Sequence, residues 1–133
     1  MGKINVPRVI AGGIVTGIMI NAFEWLSHFA YGDEAMSSLA AHNIEVKVGI
    51  GIIVVGTLVA ILVGIVAVCL YAGVRPSFGP GVKTAGLVGP VPAVVGYCFL
   101  GIYQNSLLIA GTAVALIEYV VATIAGAWVY REE

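Results

Sequence analysis

The sequence predicts an all-α membrane protein, a bundle of four transmembrane helices. Four long apolar stretches, each with few or no charges inside it, occupy residues 7–29, 46–74, 84–103 and 107–130. Each is long enough for a helix that crosses a hydrocarbon core of about 30 Å, which takes about 20 residues. The 133 residues are 60% hydrophobic and 10% charged, which leaves no room for an ordinary soluble domain. We therefore expect a single transmembrane domain over residues 1–133.

The first helix is expected to be retained in the protein, because its apolar stretch is too long for the core of a signal peptide. Asp33 is placed to cap a second, short helix after it. The apolar residues of that short helix recur at helical spacing, at Ala35, Met36, Leu39 and Ala40. Asn43 is expected to end it. The pattern predicts an amphipathic helix on the outer membrane surface, between helices 1 and 2.

The remaining helices are bounded by proline and glycine. Residues 75–81 hold two of each, which predicts that the second helix ends there in a tight turn. Gly89, Pro90 and Pro92 interrupt the third stretch and predict a kink. The short connection at 103–106 makes the third and fourth helices antiparallel neighbours.

The basic residues predict the orientation. Five of the six basic residues fall on the side that the two termini would share with the 75–83 loop: Lys3, Arg8, Arg75, Lys83 and Arg131. Only Lys47 falls on the other side. Basic residues near helix ends are retained in the cytoplasm, so both termini are expected to be cytoplasmic. The net charge of −1 argues against nucleic acid as a partner, because phosphate binding needs a concentrated basic surface.

Small residues recur at four-residue spacing on three of the helices. The predicted packing residues are Gly13, Gly17, Gly56, Ala60, Gly64, Ala122 and Gly126. On the last helix the stripe runs through residues 110, 114, 118, 122 and 126. Small residues let helix backbones approach closely in lipid, so these faces are expected to be packing seams. They offer more such surface than one monomer need use, which favours a homo-oligomer or contacts with other membrane subunits.

Three polar residues interrupt the apolar helices: Asn21, Glu24 and Glu118. Glu118 lies about 18 Å below the outer boundary by helix rise, whereas Glu24 lies near that boundary. An ionised acid near the bilayer centre costs at least about 2.5 kcal/mol, so Glu118 is expected to be neutral or to face water. Two roles remain open for it. It either ties helices together through hydrogen bonds or titrates along a transport path.

The sequence contains no catalytic motif. It has no Ser/His/Asp grouping, no zinc-protease motif and no nucleotide-binding loop, so we expect no enzyme, no catalytic residue and no cofactor. His28 and His42 both fall on the outer side and are weak candidates for a metal or haem, since no cysteine or carboxylate motif accompanies them. No metal site is predicted.

Three segments carry a resemblance. Residues 8–17 with Asn21 and Glu24, the loop 71–85 and the ending 125–132 resemble a group of small bacterial four-helix membrane proteins. The loop, with its arginine-proline-aromatic-glycine-proline order, is the most distinctive of the three. The resemblance implies a bacterial inner-membrane protein with the topology above. It implies no substrate, cofactor or catalytic residue.

Two functions are consistent with these observations. The first is a structural or interaction subunit in contact with membrane lipid, either self-associating or accessory to a larger energy-transducing membrane complex. The alternative is an oligomeric proton-coupled transporter or channel for a small solute. It would use Glu118 beside the proline-broken third helix, a combination also found at transporter binding sites.

Overall fold

The chain is helical throughout the part that is described. The computed structural model describes residues 4–45, 47–98 and 105–130, except for the side chains at 95–98 and 105–108. Within these residues the structure is 88% helix with no strand. The helices are α1 (Val6–Ala41), α2 (Ile50–Phe78), α3 (Val82–Val88), α4 (Pro90–Cys98) and α5 (Asn105–Val129). Residues 99–104 lie outside the described residues. They include the end of the predicted third stretch and the first part of the predicted connection at 103–106.

Three of these helices are long and apolar enough to cross a membrane: α1, α2 and the part of α5 from Ile109 to Val129. The fourth apolar segment, Val82–Val94, is shorter. The described helices are therefore consistent with an integral membrane protein, which the composition also predicts.

Helix α1 is longer than any predicted span. The side chain of Asn5 caps its start, where Oδ1 accepts a hydrogen bond from the Arg8 backbone N–H at 3.2 Å. Thirty-six helical residues would reach about 54 Å, well beyond a hydrocarbon core. The helix is broken at Tyr31, whose φ of −146° and ψ of 17° are not helical. The predicted first helix and the short helix after it thus form one element with a break at Tyr31.

The end of α1 has a defined cap. Asn43 adopts a left-handed conformation with φ of 58°. The Asn43 N–H donates to the Ala40 carbonyl and the Ile44 N–H to the Leu39 carbonyl, both at 3.0 Å. This pair of bonds is a Schellman motif, in which asparagine tolerates the left-handed position. The prediction that Asn43 ends this helix is confirmed.

Helix α2 ends where its prolines and glycines predict, within residues 75–81. It runs through Pro76 to Phe78, four residues beyond the apolar stretch 46–74. Pro76 lies in the last turn, where a missing N–H costs one hydrogen bond and few further turns depend on it. The chain then turns at Gly79 and Gly81, whose φ values of 80° and 109° are accessible to glycine.

The third apolar stretch is divided where the sequence predicts a kink. Gly89 joins α3 to α4, and Pro90 begins α4. The two prolines of this region lack N–H groups, so the helix hydrogen bonds cannot run through it. The junction presses against α5, because a Cβ added at Gly89 would lie 2.9 Å from the Tyr119 carbonyl oxygen and 3.0 Å from Val120 Cα.

The core lies between α1, α2 and α5. One buried cluster joins Val9 of α1, Tyr71 of α2, Ala85 of α3 and Tyr130 after α5. The start of α1, the turn after α2 and the end of α5 therefore lie at the same end of the bundle. A second cluster, formed by Ile20, Ala60 and Ala122, lies further along α1.

The first ten residues of α2, 50–59, lie outside this core. All of them are exposed, on every face of the helix. No side chain in this half of α2 is therefore buried among the described residues.

Candidate functional site

Two glycine seams hold α1 in the bundle, and the first faces α2. A Cβ added at Gly17 would lie 2.5 Å from Ile61 Cα, and one added at Gly13 would overlap Ile65 Cα. From the other side, a Cβ on Gly64 would lie 2.6 Å from the Gly17 nitrogen and would overlap the Gly13 carbonyl oxygen. Three of the predicted packing glycines thus meet at one backbone contact, where no larger side chain fits.

The second seam faces α5 and includes residues that the sequence prediction missed. A Cβ added at Gly12 would lie 2.6 Å from the Gly126 carbonyl oxygen, and one added at Gly126 would overlap Thr16 Oγ1. Thr16 is fully buried and donates a hydrogen bond to the Gly12 carbonyl at 3.1 Å. The sequence did contain a signal for this second seam, the adjacent pair Gly12 and Gly13. Neighbouring residues on a helix point in directions about 100° apart, so two adjacent glycines can face two different helices.

The remaining predicted packing residues have different positions. Ala60 and Ala122 are buried in the cluster around Ile20. Gly56 is exposed and has nothing within 4 Å of an added Cβ, so it lies off the seam predicted for it. Two steps of four residues rotate a position by about 80° around a helix with 3.6 residues per turn. Gly56 has therefore turned away from the face that carries Gly64.

The buried face of α5 also departs from strict four-residue spacing. Gly111 and Ala115 are buried, whereas Ala110 and Val114 are exposed. The buried line then continues through Glu118. The same rotation of about 40° per four residues explains the difference, because a long contact must alternate steps of three and four.

Glu118 lies in this buried face and is 3% exposed. Its Oε1 is buried and has no hydrogen-bond partner among the described residues. Helix α1 brings Glu24 close enough for the two carboxyl groups to interact electrostatically, and Tyr119 lies within range of both. The sequence predicted a deep Glu118 and a separate Glu24 near the outer boundary. The structure instead places the two acids on helices that pack against each other, within electrostatic range.

Glu24 differs from Glu118 in being exposed in the single chain. Asn21, one turn before it, donates a hydrogen bond from Nδ2 to the Gly17 carbonyl at 2.9 Å. The amide of Asn21 therefore serves its own helix. The site can hold a proton or accept hydrogen bonds, and one of its two acids is open to a neighbour outside the chain.

The histidines do not add a ligand set. Among the described residues no three histidine, cysteine, aspartate or glutamate side chains converge on a point that could hold a metal ion. The His42 ring bonds through Nδ1 to the Ser38 carbonyl at 2.8 Å, within its own helix. His28 packs edge-on against Phe29, with ring centroids 6.3 Å apart.

Comparison with protein families, with curated proteins and with solved structures gave no match.

Proposed function

We propose that the chain is a structural subunit of a membrane assembly, held together by contacts between copies of the chain. The observation that carries the proposal is the exposed carboxyl group of Glu24 inside the apolar helix α1. Glu24 lies near the outer boundary by helix rise, and the lipid chains on that face of α1 cannot hydrogen-bond an acid. A second copy on this face replaces lipid with protein hydrogen-bond partners.

The exposed half of α2 supports the same arrangement. Residues 50–59 are all exposed, and an added Cβ at Gly51 or Gly56 meets nothing within 4 Å. Glycines on an open helix face allow a partner helix to approach closely in lipid. The residues around Glu24 and this half of α2 together supply a polar group and a close-packing surface to a neighbouring copy.

The proposed topology has four crossings, the fourth supplied by α3 and α4. Antiparallel packing of α1 against α5 is supported by the order of their contacts. Gly12 meets Gly126, whereas Ile20, further along α1, meets the earlier residue Ala122. We place both termini in the cytoplasm of a bacterium, with the protein in its inner membrane and the helix after Tyr31 on the outer surface. The excess of basic residues near the termini and the 75–83 turn supports this orientation.

Native mass spectrometry after purification in a mild detergent tests the proposal. We expect a complex whose mass is a whole multiple of the chain's own mass. A stoichiometric foreign subunit would instead assign the chain to a larger membrane complex as an accessory. A monomer at every protein concentration would contradict both.

A second function, a proton-coupled transporter or channel, is favoured by one specific observation. The broken junction at Gly89 contacts α5 at Tyr119 and Val120, directly after the buried Glu118. A helix interrupted beside an intramembrane acid is a recurring arrangement at transporter sites. Glu24 and Tyr119 add two further titratable groups within electrostatic reach.

Glu118→Gln distinguishes the two functions, because glutamine keeps the size and hydrogen-bonding capacity of a neutral acid. A structural role predicts that the variant keeps its stability and oligomeric state. A transport role predicts that it loses pH-driven flux in reconstituted vesicles while it still folds. We expect the first result. Flux in the wild-type chain that disappears in a folded Glu118→Gln variant would establish the transporter.

A further inference from the structure

A cavity of about 430 Å³ lies at the end of the bundle that holds the start of α1 and the end of α5. Its walls come from the last turns of α2, from the turn at Pro80 and Gly81, from α3 and from the end of α5. The volume is within the range of about 300–1,000 Å³ that is usual for small-molecule sites. This cavity is separate from the Glu24 and Glu118 region, which lies further along α1 and earlier on α5.

Three of the side chains that line the cavity are polar: Tyr71, Arg75 and Tyr130. Arg75 is the charged residue among the described residues that line it, and its Nη1 is buried. Tyr71 stands beside it, one turn earlier on α2, and its hydroxyl oxygen accepts a hydrogen bond from the Gly81 N–H at 2.9 Å. The ring of Tyr71 meets the ring of Tyr130 edge-on, with centroids 6.2 Å apart. These contacts fix the wall that carries the guanidinium group.

The rest of the lining is mostly apolar. Ala85 and Ala127 are buried and Ile124 is half-buried, whereas Val82 is 64% exposed and Trp128 is 77% exposed. The open side of the cavity therefore lies beside Val82 and Trp128. In a membrane these two side chains face lipid, so a lipid molecule can enter from the bilayer without passing through water. Tryptophan is typical of the interface between hydrocarbon and headgroups, which places the opening at headgroup depth.

We propose that this cavity binds an anionic phospholipid, with its phosphate against Arg75 and an acyl chain leaving past Trp128. A guanidinium group presents paired N–H donors that match the oxygens of a phosphate. The apolar walls match the glycerol and the first carbons of the chains, which a free phosphate ion lacks. Basic pockets between helices at the cytoplasmic side of membrane proteins select anionic headgroups for the same physical reason.

Quenching of Trp128 fluorescence by brominated lipid measures occupancy directly. The chain has two tryptophans, so Trp25→Phe leaves Trp128 as the reporter. The protein is reconstituted into phosphatidylcholine vesicles that contain brominated phosphatidylglycerol or, in parallel, brominated phosphatidylcholine. We expect roughly a fivefold preference for phosphatidylglycerol, the ratio that one basic residue gives near a membrane surface.

Three variants locate the preference. Arg75→Gln is expected to remove it, while quenching by brominated phosphatidylcholine stays at the wild-type level and shows that the protein has inserted. Lys83→Gln, a basic residue at the same end that does not line the cavity, is expected to keep it. Ile124→Phe narrows the cavity without changing any charge and is expected to reduce the preference for phosphatidylglycerol. This variant tests the cavity independently if Arg75→Gln does not reconstitute.

Equal quenching by the two brominated lipids in the wild-type chain would overturn the proposal, as would a preference that Arg75→Gln or Ile124→Phe leaves unchanged. Excess inorganic phosphate provides the last arm. A lipid site keeps its preference in the presence of phosphate, whereas loss of the preference would show that the cavity takes a soluble anion.

Discussion

The packing of α1 against α2 leaves no room for a side chain at Gly64. The change Gly64→Ala adds one methyl group, whose carbon would lie 2.6 Å from the Gly17 nitrogen and would overlap the Gly13 carbonyl oxygen. Both obstacles are backbone atoms, so no side-chain rotation relieves the overlap and α1 and α2 must move apart. Overpacking of this kind costs about 1–3 kcal/mol.

Gly73→Ala is the matched control on the same helix, outside the surface proposed to contact a second copy. Its new methyl group meets nothing within 4 Å. Replacing glycine by alanine inside a helix changes the intrinsic helix preference by up to about 1 kcal/mol, and this contribution is common to both variants. The difference between the two variants therefore isolates the seam and is expected to be about 1–3 kcal/mol.

Unfolding of the purified protein in an increasing mole fraction of sodium dodecyl sulfate, followed by near-ultraviolet circular dichroism, measures this difference. We expect Gly64→Ala to unfold at a lower mole fraction than the wild type, and Gly73→Ala at the same or a higher one. Equal stability of the two variants would refute the close approach of α1 and α2 at Gly64.

Two further predictions use other parts of the chain. In a background without the native cysteines, a cysteine at Ser77 is expected to be protected from an impermeant thiol reagent in intact cells, and one at Ser37 is expected to react. The reverse pattern would invert the proposed orientation. Gly17→Leu is expected to weaken folding or association by about 1–3 kcal/mol through overpacking, whereas Ile18→Leu, on an exposed face, changes either by less than about 0.5 kcal/mol. A similar mild effect for both, measured by detergent unfolding and by oligomer size, would remove Gly17 from the seam.

The sequence predicted the features that depend on local chemistry. Apolar length predicted the long helices, Asn43 predicted the end of α1, and Gly89 with its prolines predicted the division of the third stretch. Each depends on one residue type or one segment. The apolar length of a segment is compared with the hydrocarbon thickness, asparagine tolerates the left-handed conformation, and proline lacks an N–H group.

The sequence was less informative wherever two helices must be placed against each other. A four-residue stripe approximates a helix face over about two turns and then drifts, which put Gly56 and Ala110 on seams from which they are absent. The four-residue pattern also missed Gly12 and Thr16. These residues face the backbone of α5 at Gly126, and their position depends on where α5 crosses α1. The proximity of Glu24 and Glu118 is of the same kind, since it depends on the packing of α1 and α5 and not on either helix alone.

The most direct test of the central claim, that copies of the chain cover the exposed acid of α1, is the self-association constant of Glu24→Leu. Sedimentation equilibrium in mild detergent measures it against the wild type and against Glu24→Gln, which retains hydrogen bonding. A hydrogen bond between membrane helices contributes about 0.6–2 kcal/mol, so leucine is expected to weaken self-association by roughly threefold to thirtyfold and glutamine by less. Self-association of Glu24→Leu as tight as that of the wild type, or tighter, would show that Glu24 faces lipid or water and would contradict the proposed interface.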